Sequence, residues 1–216
     1  MTARTATPNR VLTQEEGEAI IKPHAERFLD CVERAWKDWK GEEYERVRHI
    51  HPARSRANIM HDRMIHLARQ LFESQSDVRV FQSQGRTMVA IEDKCVIRLK
   101  KLDKNKHAHG IPTTQFALFE MQVNFDGIPA ELTHLDIGYI LNDLQTELSG
   151  VYVTCPNGRR RNHWSFDLRT LAKGGGGEVV GLGLSPSGQS STEPRFKVKE
   201  DAKRKDQAGG EDAGKS

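Results

Sequence analysis

VRVFQSQGRTMVAIEDKCVIRLKKL, residues 78–102, is where the chain changes its hydrophobic period from about 3.6 residues to about 2, and that change decides the fold. Val78 to Gln84, Thr87 to Ile91 and Cys95 to Leu102 read as strands, with Gln84-Gly85-Arg86 as the turn between the first two. Glu92-Asp93-Lys94 has two readings. Either Thr87 to Leu102 is one long strand that carries Glu92 and Lys94 on the same face as Arg98 and Lys100, or the three charged residues are a hairpin turn. Strand alternation points Val89, Ile91, Cys95, Ile97 and Leu99 towards a core and stands Lys94, Arg98 and Lys100 in an exposed positive row.

Upstream the period is helical. Thr13-Gln-Glu-Glu16 has the spacing of a capping box, so a helix begins there, and Pro23 kinks or restarts it. Phe28, Cys31, Val32, Ala35, Trp36 and Trp39 make one apolar stripe that Gly41 ends. A short helical piece holds Tyr44, Val47 and Ile50 as far as Pro52. A stronger helix follows, with Ala57, Met60, Met64, Leu67, Ala68 and Leu71 on one face and much of an arginine cluster on the other.

Downstream, Asp103 to Thr114 is polar and Gly/Pro-containing, a loop. Thr113 or Thr114 is placed to cap a helix over Gln115 to Val123, although Ala117, Phe119, Met121, Val123 and Phe125 also alternate as a strand would. Leu135, Ile137, Tyr139 and Leu141 alternate cleanly. Gly150 to Thr154 pairs with His163 to Leu168 across a loop containing Asn157-Gly158. The whole is an α+β domain, N-terminal helices packed on a largely antiparallel sheet. Residues 1–12 are a flexible leader, 13–173 the single domain, and 174–216 a Gly-rich linker and disordered charged tail, whose composition offers little burial to offset ordering entropy.

In 216 residues, three widely spaced cysteines (Cys31, Cys95, Cys155) fit neither a disulfide framework nor a metal pattern, which implies a reducing compartment. With no signal-peptide stretch in Met1 to Arg10 and no window near the roughly 18 apolar residues of a membrane span, the expected location is the cytoplasm.

The formal net charge of +3 conceals segregation. Arg46, Arg48, Arg54, Arg56, Arg63 and Arg69 lie among four histidines (His49, His51, His61, His66) with Asp62 as the single acid between them. Lys94, Arg98, Lys100, Lys101, Lys104 and Lys106 face only Asp103, whereas 107–150 holds Glu120, Asp126, Glu131, Asp136, Asp143 and Glu147 and no lysine or arginine. Arg159, Arg160 and Arg161 bring the positive sign back at the hairpin tip. Arg54, Arg56, Arg63, Arg98, Lys100, Lys101 and Arg159 to Arg161 are therefore the candidate nucleic-acid contacts, since arginine forks bind phosphate oxygens in pairs. If the tip and the row of Lys94, Arg98 and Lys100 lie near each other, the two make one continuous track for phosphates.

Among catalytic patterns, Glu92-x-Lys94 after an apolar strand, with Asp77 upstream, resembles the D…ExK arrangement of metal-dependent nucleases. There a divalent ion such as Mg²⁺ would sit between Asp77 and Glu92, with Lys94 at the scissile phosphate. A charged surface turn has the same spelling. His107-Ala-His109 has a chelating spacing without a third ligand at a known spacing. The four histidines among the arginines suit phosphate contacts or acid–base work on RNA better than metal capture, and equally suit a solvated helix face. Trp36, Trp39, Phe28, Phe72, Trp164 and Phe166 read as core, with a ring near the hairpin tip placed to stack on a base. No HExxH and no GxSxG occurs, and Gly174 to Gly177 reads as a linker rather than a phosphate cradle, so neither nucleotide hydrolysis nor a familiar hydrolase triad is expected.

Arg98-Leu-Lys-Lys-Leu-Asp103, Pro112-Thr-Thr-Gln115, Gly127-Ile-Pro129, Gly138-Tyr139 and Tyr152-Val-Thr-Cys-Pro156 together resemble small accessory proteins of bacterial mobile elements. The resemblance spans Val78 to Leu168 and implies a toxin–antitoxin or phage-defence module, with a protein partner such as an antitoxin or regulator encoded nearby. It carries over no catalytic residue. The expectation is an effector that engages RNA or DNA. The competing class is a non-catalytic interaction module that docks a partner through the acidic 107–150 region.

Overall fold

The computed structural model describes residues 10–128, 131–158 and 160–174. Thr13 caps α1 (Gln14–Ile21) as its spacing predicts. Its hydroxyl accepts from Glu16 N at 3.2 Å, and the Glu16 carboxylate accepts from Thr13 N at 2.9 Å. Pro23 sits in a 3-10 turn, Lys22–His24, that restarts the chain as α2 (Ala25–Lys40). α3 (Glu42–Glu45) and a second 3-10 turn, Arg48–Ile50, lead to Pro52 and α4 (Ala53–Phe72). Phe28, Cys31, Val32, Ala35 and Trp39 on α2, and Met60, Met64, Leu67, Ala68 and Phe72 on α4, are the buried faces, so both helices are held by their apolar stripes.

Six strands follow in chain order across one sheet: β1 (Val78–Ser83), β2 (Arg86–Ile91), β3 (Cys95–Lys101), β4 (Thr133–Leu141), β5 (Leu148–Pro156) and β6 (Asn162–Asp167). All neighbours are antiparallel except β3 and β4, which run parallel from Cys95↔Thr133 to Lys101↔Tyr139. A parallel pair cannot be joined by a tight turn, so residues 102–132 form a crossover carrying α5 (Thr114–Glu120). The helical alternative for this stretch is the one adopted, with Thr113 as the cap (Phe116 N to Thr113 Oγ1, 3.2 Å). A short α6 (Leu168–Ala172), capped by Asp167, ends the described chain apart from Lys173 and Gly174.

The Glu92-Asp93-Lys94 alternative resolves as a turn. Glu92 takes a φ of +46°, Lys94 N bonds Ile91 O at 3.3 Å, and Ile91 pairs Cys95. The first hairpin turns at Gln84 and Gly85, both at positive φ, the twist that a two-residue connection between antiparallel strands needs.

The sheet has two unlike faces. Val89, Ile91, Ile97, Leu99, Leu135, Ile137, Tyr139, Val151 and Val153 join the α2 and α4 stripes in the main core. On the opposite face Met88 and Val96 pack with Phe119, Ile128 and Leu132 of the crossover in a smaller cluster. The domain edge differs from the expected one. Arg10 to Leu12, read as part of a leader, are tied down by Thr133, whose hydroxyl accepts from Leu12 N and donates to Arg10 O, both at 3.1 Å, and by Trp164 Nε1 donating to Leu12 O at 2.8 Å. Residues 1–9 and 175–216, the rest of the predicted leader and nearly all of the predicted tail, lie outside the described residues. The three cysteines are free and buried, and no helix among the described residues is long and apolar enough to cross a membrane.

Candidate nucleic-acid interface

The predicted positive row on β3 does not stand exposed. Lys94 leaves it for the turn, and Arg98 is 4% exposed beneath the crossover. Arg98 Nε and Nη2 donate to the two carboxylate oxygens of Asp136 at 2.7 and 2.8 Å, and Nη2 also donates to Glu120 at 2.6 Å. Its guanidinium lies 3.7 Å from the Phe119 ring centroid and 5.1 Å from that of Phe116. Burial alone would lower the Arg98 pKa; Asp136 and then Glu120 reverse that and hold it above the ordinary value. A cation so enclosed cannot reach a phosphate, so Arg98 is a structural charge. Lys100 is partly buried beside it, its pKa lowered by burial and by Arg98.

The same centre takes two acids out of the predicted docking surface. Glu120 and Asp136 are buried, and Asp143 pairs with Lys104 at 2.6 Å, which leaves Asp126, Glu131 and Glu147 as the exposed acids of 107–150 without a described ion pair. Beside it, His134 stacks on Phe119 at 4.4 Å and donates from Nδ1 to Phe119 O at 3.1 Å when neutral, while Nε2 has no partner. Burial pushes its pKa down to about 4. Gln122 locks this layer to the sheet, accepting from His134 N and donating to His134 O and Pro156 O at 2.8, 2.8 and 2.9 Å.

Asp77 and Glu92 do meet, at the far end of the β1–β2 hairpin, where Glu92 N donates to Asp77 O at 2.7 Å. Each carboxylate there has its own base: Asp77 pairs with His24 Nε2 at 3.0 Å, and Glu92 pairs with Lys94. Lys94 is thereby spent on its neighbour rather than held free above a metal. His107 and His109 both turn to Asp103, at 3.7 and 3.3 Å, and no group of three or more His, Cys, Asp or Glu among the described residues could hold a metal ion.

The arginines of α4 divide in the same manner. Arg63 pairs with Asp38 across to α2, while Arg54 is exposed. Arg56 donates from Nη1 to Gln145 O at 3.3 Å and from Nη2 to Gln145 Oε1, and Lys101 Nζ donates to that same Oε1 at 3.2 Å. Burial, and then Arg56, lowers the Lys101 pKa, and among the described residues neither cation has a carboxylate in salt-bridge range. Arg160 and Arg161 are exposed at the β5–β6 tip, and Arg159 lies outside the described residues. The tip follows Pro156, at the end of the sheet where β3 and β4 begin; Lys100 lies four residues further along β3 than Val96, about 13 Å away before the intervening strands are crossed. The tip and Lys100 therefore form no continuous track.

What sequence reading missed is Gln145, the acceptor that gathers Arg56 and Lys101. Its signal was faint, an Asn-Asp-Leu-Gln turn between two strands. The run GGEDAGKS, residues 209–216, also spells the GxxxxGK[ST] pattern of a phosphate loop; it lies outside the described residues. Comparison of the chain with family models, curated proteins and solved structures returns no match.

Proposed function

We propose that this chain is a nucleic-acid-associated effector of a bacterial toxin–antitoxin or phage-defence module, engaging RNA or DNA at the end of the sheet where the start of α4, the end of β3 and the β4–β5 turn meet. The observation that carries this reading is the meeting of Arg56 and Lys101 at a neutral amide. Arg98, Arg63 and Lys94 are each answered by a carboxylate; here two cations converge on one side-chain oxygen without one. Exposed Arg54 shares the first turn of α4 with Arg56. Such clustering raises the local potential and favours a polyanion.

The test is binding of the purified full chain to single-stranded RNA and to DNA over a salt series, together with induced expression in a bacterial host with and without neighbouring genes. Salt-sensitive binding lost in the Arg54→Gln/Arg56→Gln/Lys101→Gln variant, and growth arrest relieved by a neighbour, support the reading. Absence of binding at low ionic strength sinks it.

One observation favours a second reading, a non-catalytic module that docks a partner protein. Leu144 is 81% exposed in the β4–β5 turn and Ile50 65% exposed before α4, at the same end of the domain, which Lys40 Nζ to Thr146 O ties together. Harmless expression with intact nucleic acids, and co-purification of a neighbour's product lost on Leu144→Ser, would select it.

A further inference from the structure

α4 is a 20-residue helix whose N-terminus is built against the usual rule. Its N-cap is Pro52, no side chain caps it, and its first turn holds no acid but two arginines, Arg54 and Arg56. Helix N-termini carry partial positive charge and their first amides lack internal partners, so acids and hydroxyl caps stabilise them and cations oppose them. Stability does not explain this composition. An anion would satisfy it.

A second, independent observation lies beneath. Tyr139 is the register partner of Lys101 on the adjacent parallel strand, and both side chains project to the helix-bearing face. Tyr139 is 1% exposed, and its hydroxyl has no hydrogen-bond partner. A buried hydroxyl without a partner is costly and is uncommon in a well-packed core. Arg56 is the charged group that bears on this phenol.

The remaining component is the group now between the cations. Gln145 takes a φ of +54° and offers its side-chain oxygen to both Arg56 and Lys101. It lines a surface depression of about 290 Å³ with Lys101, Lys104, Ile140 and Asn142. The two acids at that depression are already answered: Asp143 by Lys104, and Asp103 by the backbone amides of Asn105 and His107 together with His109. The local balance at the cations therefore stays positive.

We propose that this junction is a seat for one phosphoryl group, in which Arg56, Lys101 and the free amides of the first turn of α4 take the phosphate oxygens, Gln145 is displaced, and the Tyr139 hydroxyl donates from below. The assignment rests on the nucleic-acid reading only for the source of the phosphate, an internal phosphodiester or a terminal phosphomonoester. The chemistry is common to both.

The test titrates the full chain with inorganic phosphate at low ionic strength, followed by calorimetry or backbone NMR, and then uses phosphate to displace a labelled oligonucleotide carrying either a 5′-phosphate or a 5′-hydroxyl. Arg56→Gln and Lys101→Gln should each weaken phosphate binding about tenfold, the loss of one charge-assisted hydrogen bond. Gln145→Ala should bind at least as tightly as the parent. Tyr139→Phe is the deciding variant, because a hydroxyl without a partner can be deleted without lowering the unfolding midpoint, yet phosphate affinity should fall several-fold. A preference for the 5′-phosphate oligonucleotide assigns the seat to strand ends, and equal binding assigns it to internal phosphates. No phosphate binding, or unchanged affinity in Tyr139→Phe, overturns the seat. Oligonucleotide binding that phosphate does not displace overturns the seat and leaves nucleic-acid binding standing; phosphate binding without any oligonucleotide binding does the reverse.

Discussion

Arg98 and Asp136 face each other across the parallel β3–β4 pair as register partners and meet through two hydrogen bonds of 2.7 and 2.8 Å in the interior of the domain. Glu120 arrives from the crossover and makes the third member. Through Glu120 the three hold the crossover to the sheet where β3 and β4 run parallel, so their chemistry is architectural.

Removing the cation alone should be severe. Arg98→Met leaves Asp136 and Glu120 buried without their counter-charge, a loss on the order of 3–5 kcal/mol in urea unfolding. Stranded carboxylates have raised folded pKa values, so they bind protons more readily in the fold than in the unfolded chain. The variant should therefore regain stability as the pH falls towards the ordinary carboxylate range, and a variant that does not would show that the carboxylates find other partners.

His134 gives the opposite slope. Its folded pKa, about 4, lies below the ordinary 6.5, so the unfolded chain takes up the proton first. This histidine should leave stability intact above about pH 6.5 and remove up to roughly 3 kcal/mol as the pH falls to about 4. His134→Gln should flatten that part of the profile relative to the parent; equal slopes in both would place the acid sensitivity elsewhere.

Much of the fold was legible because its strands alternate and its helices carry clean stripes: Val89, Ile91, Ile97 and Leu99 point where alternation puts them. The parallel join was not, since nothing in Cys95 to Leu102 or Leu135 to Leu141 records the direction of a neighbour. Arg98 shows the limit most clearly. Alternation correctly put it on the face opposite the main core, but whether that face meets water depends on Glu120 and Asp136, 22 and 38 residues away. Arg10 to Leu12 went the same way, joined to Thr133 and Trp164 by contacts more than 120 residues apart in sequence. For the candidate site, the arginines of α4 and Lys101 were legible as charge, whereas their meeting at Gln145 depends on a turn conformation that composition does not encode.

Gln122 offers a check on the crossover that leaves the ion pair untouched. Its side chain makes three hydrogen bonds to the backbone of β4 and β5 and is 2% exposed. Gln122→Leu should cost on the order of 2–4 kcal/mol, because the buried His134 amide and two carbonyls lose their partners together. Hydrogen exchange should localise the loss to α5 and the start of β4. A uniform change across the domain would mean that the crossover does not open separately.

The last expectation concerns the two basic patches, partly buried Arg56 and Lys101 at one end of the sheet and exposed Arg160 and Arg161 at the other. A short strand cannot engage both at once unless it spans the length of β3, whose seven residues extend roughly 23 Å. Oligonucleotides shorter than that reach should bind through the Arg56 and Lys101 end alone, because there two cations converge on one neutral acceptor. Replacing Arg159, Arg160 and Arg161 together with Ser should then leave short oligonucleotides unaffected. With longer ones it should weaken binding across sequences and lower the salt slope, which runs near −0.7 per phosphate contacted for single strands. Arg160 and Arg161 are exposed, so folding should be preserved. If the Ser variant loses short and long oligonucleotides alike, the hairpin tip rather than the start of α4 is the primary contact.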